Sequence, residues 1–231
     1  MKFYYINLAS SKERNDHMIQ LAKKVGLEFI RFEAVAPTFS SLLIGQHTSF
    51  YRKSCNHFKD YINNKDQRIV RRGRGVFGVY MSHYFLHKYH EITSPEEKYI
   101  IMEDDINFNK STFKKIINTS NSSENKGWDI FRSVWRKSQE GKILIPRDKT
   151  FVIKGVHLES KYASTTPIKH SYYGGAHFSI FNKSSSIINY LEDESVYAID
   201  AVYSTEKLKV ICGNFGLRHG LFDSLIPKKK I

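Results

Sequence analysis

Cysteine is scarce in this chain. Cys55 and Cys212 are the only two among 231 residues, too few for a disulfide framework and without the spacing of a thiolate metal site. Both read as ordinary reduced thiols. No run of about 18 apolar residues is present that could span a bilayer. The opening MKFYYINLAS enters a strand pattern at once, without the long apolar core of a signal peptide. The compartment expected from these absences is the cytoplasm, with the inner face of the membrane open to it. Acidic residues are also in deficit: 23 Asp and Glu stand against 36 Lys and Arg, a formal charge of +13. That surplus predicts an anionic partner, whether nucleic acid, a phosphorylated substrate or a membrane surface. No internal repeat and no linker between independent domains is visible, so residues 1–231 are read as one domain. Hydrophobic residues make up 41% and aromatics 14%, enough for a sizeable core and against global disorder.

What the chain does have is Tyr99-Ile100-Ile101-Met102-Glu103-Asp104-Asp105-Ile106. A short apolar run bounded in this way reads as a buried strand of a parallel-type sheet. Ligands of open α/β sheets collect beyond the carboxyl ends of such strands. In extended backbone Glu103 and Asp105 share a face and Asp104 points away. Two adjacent carboxylates repel unless a cation sits between them, and hard oxygen ligands favour Mg²⁺ or Mn²⁺. The plainer reading is an exposed acidic turn after a strand.

The flanking pattern is α/β. Phe3 to Leu8 is a strand, and Ser10 and Glu13 fit a capping box. Met18, Leu21, Ala22 and Val25 then trace an amphipathic helix closed by Gly26. Glu28 to Val35 supplies a second strand, giving a β-α-β opening. Residues 36–75 form a long excursion with one or two short helices and the basic run Arg68, Arg71, Arg72 and Arg74. A largely apolar helix spans Val76 to His90. A polar helix near Ser111 to Asn118 precedes an Asn- and Ser-rich loop over 118–127. Trp128 to Val134 is a strand, and Lys142 to Ile145 with Phe151 to Val156 reads as a hairpin. Tyr172 to Phe181 holds Gly174-Gly175 and a strand, after which Asn182 caps a helix bearing Ile187, Ile188 and Leu191. A helix near Ile199 to Lys207 leads to strand Val210 to Cys212.

Several of these pieces, in this order, resemble glycosyltransferase family 25. They are Ile6-Asn7-Leu8 followed by Arg14, and Gly75-Val76-Phe77-Gly78-Val79-Tyr80-Met81-Ser82-His83. Ile101-Met102-Glu103-Asp104-Asp105, Tyr173-Gly174-Gly175-Ala176-His177-Phe178-Ser179-Ile180 and Ile199-Asp200 complete the set. Val76 and Val79 depart from the acid and the Cys usual in that family. The resemblance implies a GT-A-like fold, a twisted mixed sheet flanked by helices, with a Rossmann-like nucleotide-binding half over 1–110 and an acceptor-side half over 111–231. It implies a hexosyltransferase of surface-glycan assembly, most simply a galactosyltransferase using UDP-galactose with a lipooligosaccharide or lipopolysaccharide acceptor.

On that reading Asn7, Leu8, Arg14, Ser82, His83 and Asp104 serve the nucleotide sugar, with Arg14 suited to pair with the diphosphate. Inverting transfer needs a general base for the acceptor hydroxyl and a Lewis acid for the departing diphosphate. Asp105, with Glu103 or Asp104, would bind the cation, Mn²⁺ or Mg²⁺, and His219 could complete its shell. Asp200, at a helix start, is the expected base and Asp129 its rival. His83, His87 and His90 share one helical face, which invites zinc, although histidines satisfied in the core explain the same spacing. The basic run and Lys228-Lys229-Lys230 suit an anionic glycolipid acceptor or peripheral contact with an anionic leaflet. They equally suit a solvated surface. A metal-dependent nuclease, or a non-catalytic basic nucleic-acid-binding module, is the alternative to be separated from this reading.

Overall fold

The structure is a computed structural model. It describes residues 1–36, 67–124, 127–133, 150–153, 156–161, 177–182, 185–193 and 208–213, with positions 199, 203, 215 and 217. The chain opens β-α-β: β1 (Lys2–Asn7), α1 (Lys12–Val25) and β2 (Ile30–Glu33). Then come α2 (Gln67–Thr93), β3 (Lys98–Glu103), α3 (Lys110–Ser122) and β4 (Ile130–Ser133). The remainder is β5 (Thr150–Ile153), β6 (Val156–Lys161), β7 (Phe178–Asn182), α4 (Ser185–Asp193) and β8 (Val210–Gly213).

The strands form one eight-stranded mixed sheet in the order β2-β1-β3-β7-β4-β8-β6-β5. β1 pairs in parallel with β2 and β3, and β4 with β8. β7 is inserted antiparallel between β3 and β4. The carboxyl ends of β1, β3, β4 and β8 therefore lie on the edge where β7 begins. This is the GT-A-like arrangement expected from the sequence.

Alternation along the strands builds two apolar layers. Tyr4, Tyr99, Ile101, Ile130, Phe181 and Val210 pack with Phe77, Tyr80, Met81 and Leu86 of α2 and Ile187 and Leu191 of α4. The opposite face carries Tyr5, Ile100, Met102, Phe131, Ile180 and Ile211 against Met18, Leu21 and Val25 of α1 and Phe113 and Ile116 of α3. The stripe expected on α1 is buried as predicted, and Gly26 closes the helix at φ 72°, a left-handed conformation that glycine adopts without strain.

Several local expectations are corrected. α1 begins one residue later than expected: Ser11 and not Ser10 holds the cap position, with no side-chain cap bond. The basic run from Arg68 lies in a helix rather than an irregular excursion, because α2 starts at Gln67 and continues through Gly73, Gly75 and Gly78. Each interior glycine costs about 1 kcal/mol relative to Ala. Burial of Phe77, Tyr80, Met81 and Leu86, at about 1.5–3 kcal/mol for each large apolar side chain, outweighs that cost. α3 runs on to Ser122, using part of the expected loop. The partner of the strand at Thr150–Ile153 is Val156–Lys161, and Lys142 to Ile145 lies outside the described residues. Asn182 is the last residue of β7 and not a helix cap. Its side-chain amide donates to the Trp128 carbonyl, and its backbone N–H donates to that of Asp129 at 3.0 Å.

Candidate metal and nucleotide-sugar site

The acidic stretch ends β3 and turns out of the sheet, with Glu103 the last strand residue and Asp104 and Asp105 in a turn. β7 arrives from the opposite direction, so His177 sits across from Glu103: the Glu103 N–H donates to the His177 carbonyl at 3.0 Å. Side chains directly opposite one another share a face. The His177 Nδ1 accordingly meets Glu103 Oε2, and Asp105 joins them. One ligand atom from each of Glu103, Asp105 and His177 lies within 4.8 Å of the other two.

Asp105 Oδ1 is buried and has no hydrogen-bond partner among the described residues. An uncompensated buried carboxylate oxygen is costly. Burial pushes the Asp105 carboxyl above its usual range, and the neighbouring Glu103 pushes the same way, while His177 and Arg14 oppose them. A divalent cation supplies what such a group lacks. Two carboxylates and an imidazole fit Mn²⁺ well, and fit Mg²⁺ less well because of the nitrogen donor. The expected pair of Glu103 and Asp105 is thus brought together, with His177 as a companion not expected from sequence.

Asp104 faces away, as alternation predicts, and its oxygens are both engaged. Oδ2 accepts from Asn7 Nδ2 at 2.8 Å and Oδ1 from Arg14 Nη1 at 2.7 Å. Arg14 was expected on a diphosphate, but here it pairs with Asp104 and stands 4.0 Å from Asp105. The Asn7 side chain also donates to the Ser11 carbonyl at 3.2 Å and accepts from Arg31 Nε at 3.0 Å. Leu8 is half-buried and caps the chain's exit from β1, its carbonyl accepting from the Ser11 N–H at 2.9 Å.

Ser82 and His83 lie inside the molecule, on α2. The Ser82 hydroxyl donates to the Gly78 carbonyl at 2.6 Å and accepts from the Val35 N–H at 2.8 Å, fixing the end of β2 to α2. His83 Nδ1 lies 2.9 Å from the Tyr203 hydroxyl. Burial holds the His83 imidazole down at about 4, partly opposed by the Glu103 carboxylate. The other two histidines are similarly occupied. His87 meets the hydroxyls of Tyr99 and Tyr203, and His90 lies 2.9 Å both from the Tyr4 hydroxyl and from the Glu96 carbonyl. These partners account for the helical spacing of the three histidines, and the zinc reading is set aside.

Asp129 is at the wrong end of the sheet for a base. Its carbonyl accepts from Asn182 and its Oδ2 from the Lys209 N–H at 2.8 Å. Asn182 pairs with Lys98, five residues before Glu103, or roughly 16 Å along a strand. Asp129 is a strand-end anchor. Asp200 and His219 lie outside the described residues.

The sequence pattern of glycosyltransferase family 25, described as an LPS biosynthesis protein family, matches residues 1–191. The chain belongs to glycosyltransferase family 25. As a family 25 member it is a transferase of lipopolysaccharide biosynthesis, with a sugar donor and a glycan acceptor, and the nuclease and non-catalytic readings give way. No curated protein matches the chain. Among solved structures it is similar to the "Crystal Structure of A197 from STIV", at 12% identity and a TM-score of 0.46, over 97% of this chain and 87% of that one. Among the described residues no helix is long and apolar enough to cross a membrane.

Proposed function

We propose that this family 25 transferase moves a hexose, galactose from UDP-galactose, with inversion onto a lipooligosaccharide or lipopolysaccharide acceptor. In this reading Glu103, Asp105 and His177 hold Mn²⁺ or Mg²⁺, and His219 is a further ligand. The observation that carries the metal reading is the convergence of these side chains around a buried Asp105 oxygen without a hydrogen-bond partner among the described residues. When bound, the cation supplies Lewis-acid stabilisation of the departing diphosphate.

The chain's own residues perform the rest. A carboxylate must take the proton of the acceptor hydroxyl as the oxygen attacks the sugar, and Asp200 is assigned that role. Of the residues near it in sequence, Ile199 and Tyr203 are both buried, and the Tyr203 N–H donates to the Ile199 carbonyl at 2.9 Å. The charge of +13 suits an anionic glycolipid acceptor at the cytoplasmic face of a membrane.

The test is a thermal-shift panel of UDP-sugars with and without Mn²⁺, followed by transfer assays. UDP-galactose should raise the melting temperature only with Mn²⁺, and Asp105→Asn should abolish that response. Asp200→Asn should bind UDP normally and lower transfer by at least about 10²-fold, the low end for a general base. A UDP-galactose response indifferent to metal would sink the metal reading.

A further inference from the structure

We infer that Asn7, Arg14 and Asp104 are positioning residues for the metal centre, not contacts to the nucleotide, and that they act by clamping the turn that presents Asp105. The inference rests on the metal reading above. Asp104 and Asp105 follow the last residue of β3, beyond the register in which β3 pairs with β1 and β7 among the described residues. Asp105 must nevertheless stay beside Glu103, against like-charge repulsion and in a buried setting. Something has to hold the turn.

The side chains of two other elements do so. Asp104 is 7% exposed and Asn7 1%. Both Asp104 oxygens are taken up, at 2.8 Å by Asn7 from the end of β1 and at 2.7 Å by Arg14 from α1. Three residues on, one turn along the same helix face, His17 Nε2 lies 2.7 Å from the Ile106 carbonyl on the far side of the turn. α1 is itself locked to the sheet by Met18, Leu21 and Val25. Residues 104–106 are thus held at Asp104 and at Ile106, leaving Asp105 aimed at Glu103 and His177. Residues that hold a metal's ligands in this manner commonly set its affinity, and their loss costs 10–100-fold.

The experiment measures Mn²⁺ affinity of the full chain without nucleotide, by the free-ion signal in electron paramagnetic resonance, and UDP affinity separately at saturating Mn²⁺. Asp104→Asn places an amide against the Asn7 amide and removes the partner charge of Arg14. Its Mn²⁺ dissociation constant should rise by about 10- to 100-fold, with UDP affinity at saturating Mn²⁺ unchanged. Should Asp104→Asn fail to fold, the Arg14 pair decides: Arg14→Leu, which has no donor for Asp104, should weaken Mn²⁺ binding more than Arg14→Lys, which keeps a long side chain able to donate to the Asp104 carboxylate. Wild-type Mn²⁺ affinity in these variants together with lost UDP binding would overturn the inference and return the residues to the nucleotide. Wild-type affinity for both ligands would overturn it also, leaving the clamp as a fold element. Asp105→Asn separates the two levels: if the unsubstituted chain binds Mn²⁺ no better than Asp105→Asn, the metal reading itself fails and takes this inference with it.

Discussion

Removing the Tyr203 hydroxyl tests the buried chain that links α2 to the late part of the sequence. That oxygen lies 2.9 Å from His83 Nδ1 and 2.6 Å from His87 Nε2. A hydroxyl carries one proton, so Tyr203 donates to one imidazole and accepts from the other. The tautomers of His83 and His87 are thereby coupled, and the coupling extends to the Tyr99 hydroxyl at His87 Nδ1. Tyr203→Phe keeps the ring and its packing against Phe181 but leaves both nitrogens facing carbon in a fully buried site. Each unsatisfied buried group costs about 1–3 kcal/mol, so a loss of about 2–6 kcal/mol is expected for the two. For a chain of this length each kcal/mol moves the melting temperature by about 2–4 °C, giving a fall of at least about 4 °C by circular dichroism. Tyr80→Phe serves as the comparison. It removes one donor, to the Leu191 carbonyl at 2.6 Å, and should cost only about 1 kcal/mol. If Tyr203→Phe is no less stable than Tyr80→Phe in urea unfolding, the shared hydroxyl is not satisfying two imidazoles and the reasoning fails.

The same histidines predict acid sensitivity. His83 is held neutral down to about 4 while an unfolded His takes its proton near 6.5, so its contribution is present above pH 6.5 and is lost as pH falls towards 4, about 3 kcal/mol in all. His83→Leu should flatten that part of the stability profile, and an unchanged slope would count against the buried neutral imidazole. Gly26→Ala, at φ 72°, should destabilise by about 1 kcal/mol through backbone strain alone. Equal urea midpoints would mean that the helix end has another conformation in solution. Binding to anionic vesicles should weaken as salt rises through the physiological range, where the Debye length is about 8 Å. Co-sedimentation indifferent to salt would leave the surplus charge as a solubility feature.

Local chemistry explains how much of the fold could be read in advance. β1, α1, β2 and β3 each carry their own signal: an apolar run, a stripe at helical spacing, a glycine to stop on. α2 was legible only from Val76 onward. Its first two turns hold Gly73, with Gly75 next, and carry no apolar stripe to mark a helix; glycine disfavours helix locally, and only the packing of the residues that follow makes the helix worthwhile. The strand near Phe151 was legible from its alternation, but the place of its neighbour in the sheet was not: apolar alternation marks a segment as a strand and does not choose its partners, and Val156–Lys161 sits on β8, a long-range pairing that local pattern does not specify.

The same distinction runs through the site. Glu103 and Asp105 were legible because one strand and its exit carry both, and the repulsion between them is a local fact. The role of Asp104 was not, since its partners are 97 and 90 residues away. The Asn7 and Arg14 side chains looked free for a nucleotide only while Asp104 was unplaced. His177 depended on topology. It stands 74 residues from Glu103 and faces it only because β7 enters the sheet antiparallel between two strands that run the other way. Had β7 run parallel there, its first residue would lie at the far end with Lys98, and Asn182 would face the acids. A single reversed strand therefore brings an imidazole to the edge where the carboxylates emerge. The signal that could have found it was present in the sequence: His177 precedes an apolar strand at the place where Glu103 ends one, and the two become opposite neighbours once antiparallel pairing is assumed.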